Sequence, residues 1–200
     1  MASSSRFSRR QSGAALLETL FVLPLLLLLL VGAMEFGFLV QDNFTVQNAV
    51  RQGVRIAGSL GTKPQSDYYV LSSISAALKG KMQFVDHIVI YKPNADGSVP
   101  GACEVASQTG ICTLYTPADF NPLKPVTAWA PSTGCDGFLD AKFCPTTHRQ
   151  NSYDAATGPD LIGVEISYVH QSVTGLMFDQ AKIDPNLNEQ LDPDTRTYTP

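Results

Sequence analysis

The sequence predicts an α+β fold: a long amino-terminal helix packed on a small antiparallel β-sheet, with disulfide-bearing loops. Three observations predict it. Ala14 to Met34 is an apolar run with a single charge, Glu18, and it passes into a helical period that continues to Leu60. Two later segments, Phe84–Tyr91 and Ile162–His170, are rich in β-branched and aromatic residues, and the second alternates with period two. All four cysteines lie between them, in a stretch crowded with proline and glycine and without periodicity.

Two hundred residues suffice for one domain with appended segments. Apolar residues make up 44% and charged ones 16%. That balance excludes a disordered solubiliser and a basic-faced nucleic-acid binder. The net charge of -4 is uneven, because Arg6, Arg9 and Arg10 stand in residues 1–13 while all 18 acids lie beyond them. As a helix, Ala14–Met34 rises about 31 Å, the thickness of a bilayer core. The arginines ahead of it place the amino terminus in the cytoplasm and the remainder outside.

Three readings fit this segment. A plain anchor gains nothing from Glu18 or Pro24, since a carboxylate in an apolar span costs roughly 2.5–3.5 kcal/mol near its centre and less toward an end. A cleaved secretory signal finds small residues at Val31-Gly32-Ala33, but its apolar region seldom holds an acid. The twin arginines Arg9-Arg10 lack the apolar continuation of the folded-export route. The third reading joins Gly13, Glu18, Pro24 and Glu35-Phe36-Gly37 into one pattern, GAALLETLFVLPLLLLLLVGAMEFG, continued by Asn48-Ala49, Arg51, Gly53, Arg55 and Ala57.

That pattern resembles the TadE-like minor pseudopilins of the tight-adherence (Flp-type) pilus system, over about residues 9–60, with a looser echo in DLIGVEISYVH. Thr19 departs from it, standing where an aromatic or other apolar residue is usual. The resemblance implies a pilin-like fold and cleavage between Gly13 and Ala14 by a prepilin peptidase. It also implies a role for Glu18 in assembly. The new Ala14 ammonium and the carboxylate of a neighbour are each costly in lipid, and pairing offsets much of that cost. The partners implied are the peptidase, other pilins or pseudopilins, an inner-membrane assembly platform and the bilayer itself, with no nucleic acid.

The remaining elements follow in order. Phe36, Val40, Phe44, Val46, Ala49, Val50, Gly53, Val54, Ala57 and Leu60 recur at spacings of three and four, so residues 35–61 continue the helix with one buried face until Gly58, Gly61 and Pro64 stop it. Gln41, Asp42, Asn43, Gln47 and Arg51 are read as the polar side. Ala49, Gly53 and Ala57 admit a close backbone, either a neighbouring subunit or the protein's own domain. Ser66-Asp67 is expected to cap a helix ending at Gly80. Phe84–Tyr91 is expected to be a strand entering a hairpin through Asn94-Ala95-Asp96-Gly97. Ser172–Ile183 is left between helix and strand. The expected divisions are a leader over 1–13, a span over 14–34, its amphipathic continuation over 35–61, an exported domain over 62–183 and a poorly ordered tail over 184–200.

Cys103 and Cys112 have the same spacing as Cys135 and Cys144. Four cysteines in an exported domain favour disulfides. Of three connectivities, the local pairs Cys103–Cys112 and Cys135–Cys144 are favoured because each closes a small loop. Zinc lacks a closely spaced C-x-x-C pair. His87, His148 and His170 have no ligand spacing, Asp96-Gly97 and Asp136-Gly137 read as turns, and no hydrolase, phosphate-loop or zincin motif occurs. No cofactor and no enzymatic activity are expected. The function expected is subunit–subunit interaction in a pilus system, from the bacterial inner membrane with an exported carboxyl-terminal domain. The alternative is a membrane-anchored or secreted binding domain with no filament.

Overall fold

The computed structural model describes residues 8–129, 135, 142–151, 158–175 and 180–190. Met1–Phe7, the Asp136-Gly137 turn and residues 191–200 of the expected tail lie outside the described residues.

Helix α1, Ser8–Leu60, runs without interruption through Pro24. Over 53 residues it extends about 80 Å. It ends where Gly61 takes a positive φ of 53° and its N–H donates to the Ala57 carbonyl at 3.1 Å, a left-handed glycine stop. Its amino-terminal half projects from the domain, with Leu16 to Leu30 exposed. The other half buries Val46, Ala49, Val50, Val54 and Ala57 in the core.

Helix α2, Ser66–Leu78, packs against that half through Val70, Leu71 and Ile74. Gln65 rather than Ser66 or Asp67 holds the cap position, and the cap has no side-chain hydrogen bond. Ser66 and Asp67 are buried in the first turn, and Asp67 turns inward to an ion pair with Arg149. The helix stops one residue earlier than expected, with Lys79 in the left-handed region ahead of Gly80.

The sheet is antiparallel. Strand β1, Val85–Tyr91, pairs with β2, Cys112–Tyr115, on one side and with β3, Leu161–Gln171, on the other. The expected turn after β1 forms, with Asp96 accepting from the Ser98 N–H and hydroxyl at 3.0 and 2.6 Å. It does not close a tight hairpin. The chain reaches β2 only after a loop tied by the Cys103–Cys112 disulfide, because Pro93, Pro100 and the short 3₁₀ turn Gly101–Glu104 interrupt any immediate returning strand. Two one-turn helices, α3 at Pro117–Phe120 and α4 at Pro145–His148, punctuate the stretch that showed no period.

The region after Asp184 corrects a second expectation. Strands β4, Gln180–Ile183, and β5, Asn186–Gln190, both pair with β3. The register is unchanged across Asp184-Pro185, so they form one edge strand interrupted by a residue without an N–H. A polar composition misled the expectation of disorder, because an edge strand takes its stability from backbone pairing and tolerates Asn and Gln.

Beta-3 is also covered more fully than its alternation implied. Ile162, Val164, Ile166 and Tyr168 face the helices, yet Gly163, Glu165 and Ser167 on the other side are buried too. Tyr91 lies across Gly163, with Val89, Leu114, Val99 and the Cys103–Cys112 disulfide closing that face. The sheet therefore has helices on one side and a disulfide-tied loop on the other.

Candidate functional site

The exposed half of α1 carries the residues singled out from sequence. The helix passes through Gly13 and Ala14 without a break, and Gly13 is exposed with nothing within 4 Å of the place a Cβ would occupy. Glu18 is exposed one turn further on, beside a shallow apolar depression bounded by Ala15, Val22 and Leu26. Thr19, the departure from the pattern, donates its hydroxyl to the Ala15 carbonyl at 2.8 Å, which satisfies it within the helix. By length and composition the helix is long and apolar enough to cross a membrane. Among the described residues, nothing of the protein's own domain covers its apolar half.

The cysteines are elsewhere. Cys103 is bonded to Cys112 and Cys135 to Cys144, with Cα separations of 6.0 and 5.2 Å. No cysteine is free, so none is left as a thiolate ligand for zinc. Gly13, Ala14 and Glu18 thus share one helix, while the disulfides fasten loops of the globular domain.

Between these regions lies an arrangement that the sequence reading missed. Glu35, immediately beyond the apolar run, is 1% exposed and accepts the backbone N–H of Val173 at 3.2 Å and that of Thr174. Hydrogen bonding from Thr174 holds its carboxyl below the usual range against the opposing effect of burial, and the Val173 N–H and nearby His170 add to it. Two turns along, Asp42 is buried rather than turned to solvent. It bonds His170 Nδ1 at 2.7 Å, accepts from the Tyr168 hydroxyl at 3.3 Å and pairs with Lys81. Burial alone would raise the Asp42 carboxyl, but Lys81 and His170 outweigh it and the net shift is downward. Tyr168 is pushed the other way, by burial and then by Asp42.

These two carboxylates fasten the stalk to the end of β3 and to the turn that follows it. The signal was available. Glu35 and Asp42 are seven residues apart on the stripe continued by Val46, Ala49 and Gly53, so both point to the covered face. That stripe also settles which backbone the small residues admit. Ala49 and Ala57 are fully buried, and a Cβ on Gly53 would stand 3.0 Å from Ile74 of α2. Ala49, Gly53 and Ala57 serve the protein's own helix pair. A second buried ion pair, Asp67 with Arg149 at 2.7 Å, accepts the Tyr115 hydroxyl at 2.6 Å and braces α2 against the disulfide-bearing loops.

Among the described residues, an exposed apolar half-helix runs on into the core helix of a small α+β domain. The family model described as TadE-like protein matches residues 13–55, so the amino-terminal segment of the chain is similar to that family. The match begins at Gly13 and covers the apolar run, Glu18, Glu35, Asp42 and the buried stripe through Gly53. No curated protein and no solved structure matches the chain.

Proposed function

We propose that this chain is a minor pseudopilin or pilus assembly protein of a bacterial tight-adherence pilus system, working by subunit contact rather than catalysis. One observation carries the reading: the TadE-like segment coincides with a helix whose apolar half is bare in the isolated chain. In this account a prepilin peptidase cuts between Gly13 and Ala14, and the helix from Ala14 to Met34 sits in the inner membrane with the domain outside. The assembly platform then draws the subunit among other pilins. Lipid covers Leu16–Leu30 before assembly and neighbouring stalks cover it afterwards.

Glu18 gives the contact its register. Its carboxylate meets the Ala14 ammonium of an adjacent subunit where neither is stable alone in a low dielectric. The test compares wild type with Glu18→Gln for the ratio of this protein in sheared surface filaments to that in the inner membrane, with processing followed in the same samples. Insertion and cleavage are retained, while the ratio falls by a factor of hundreds to thousands, the equivalent of about 3–5 kcal/mol for one member of a buried pair. An unchanged ratio with intact processing reduces Glu18 to a snorkelling residue.

A further inference from the structure

We propose that the basic groove between α1 and α2 is the docking surface for a different stalk-bearing chain, one whose helix presents carboxylates a turn apart. The inference rests on the reading of α1 as a membrane-borne stalk. The groove encloses about 670 Å³ and is lined by Arg51, Arg55, Lys79 and Lys81, with Asn48 and Gln52 between them and no acid. Lys81 is occupied by Asp42, whereas Arg51, Arg55 and Lys79 make no ion pair among the described residues. This concentration of positive charge stands in a chain of net charge -4. Arg51 and Arg55 are one turn apart on α1, a like-charge spacing that weakens a helix, so the helix itself gains nothing from it. Two guanidiniums at that spacing fit two carboxylates on a facing helix.

Geometry selects the occupant. Roughly 25 Å of helix rise separates Met34 from Arg51, whereas the headgroup layer on each side of a bilayer is about 5–8 Å deep. Lipid phosphates therefore do not reach these arginines. The groove follows α1 directly above the apolar run, where a second helix leaving the same membrane comes alongside. A second copy in register is unsuitable. Beyond the run, α1 has acids only at Glu35 and Asp42, both buried and bonded to its own domain, so arginine would meet arginine. Charge complementarity thus points to a partner with an acidic stalk.

The test uses full-length protein in detergent micelles with a photoreactive side chain in place of Gln52. Wild type, the R51E/R55E variant and an equal mixture of the two are irradiated. The mixture is expected to give mixed pairs above the statistical half, and each protein alone few pairs, with the excess lost at high salt. A soluble helical peptide with glutamates four apart is expected to bind wild type about tenfold more tightly than it binds R51E/R55E or R51Q/R55Q, as loss of charge-assisted contacts requires. Both arginines are exposed, so thermal melts of the variants should match wild type. Self-pairing of wild type equal to mixed pairing, or equal peptide binding by all variants, overturns the proposal. Alkaline extraction of the same proteins from vesicles reports insertion separately, so a failed stalk reading is distinguishable from a failed groove.

Discussion

Gly163 meets Tyr91 more closely than any side chain would allow: a Cβ there would stand 2.4 Å from the phenol ring. The ring is fully buried and packs with Val89 and the Cys103–Cys112 disulfide, which leaves it nowhere to move, and burial pushes its hydroxyl up to about 12. Gly163→Ala should therefore destabilise the protein by about 1–3 kcal/mol, read as a lower urea midpoint at unchanged slope. Asp42 yields a second expectation. Its carboxyl is held below 3.8, so the folded state binds fewer protons there than the unfolded chain. Its contribution is complete above the unfolded value and is lost as pH falls through the lower folded value. Thermal melts of wild type should lose stability below about pH 4. Asp42→Asn should begin about 3–5 kcal/mol less stable, toward the lower end because Lys81 reaches solvent, and fall less steeply over that acid range. Equal pH slopes in the two proteins would remove Asp42 from the account.

Alpha-1 does two tasks along one length, and the sequence distinguished them unevenly. The apolar half was legible because the 21 Leu-rich positions of Ala14–Met34 with one acid have few physical alternatives. The covered half was legible in Val46, Ala49, Val50, Val54 and Ala57, whose spacing needs no partner to be recognised. Asp42 was misread because a charged residue on a helix is ordinarily solvated, and its partners His170 and Tyr168 lie more than 120 residues away on β3. Strand β5 escaped for a related reason: its polar composition carries no hydrophobic period, and pairing with β3 is what orders it. Two glycines of α1, one on the covered stripe and one on the open side, give a contrast. Gly53→Leu should cost about 1–3 kcal/mol, since Ile74 stands 3.0 Å from the new Cβ. Gly37→Leu, with nothing within 4 Å, should leave the melting temperature of the domain unchanged or slightly higher.

At the scale of the whole molecule, a bare apolar rod is coupled to a domain that is closed on both faces of its sheet. The closure on the loop side includes the Cys103–Cys112 disulfide. By the chain-entropy account, each nine-residue separation contributes about 2.5–3 kcal/mol. Alkylation of exported protein should find no free thiol before reduction and four afterwards, whereas four reactive thiols without reduction would place the domain in a reducing compartment. Glu35 and Asp42 tie the rod to the domain, so whatever seats the rod also orients the domain. The central claim is that the rod is released from its basic leader and then packs among other rods. Amino-terminal sequencing of the mature protein from the inner-membrane fraction tests it most directly. A chain beginning at Ala14 is the predicted result, and one beginning at Met34, or retaining Met1 with the leader intact, would contradict it.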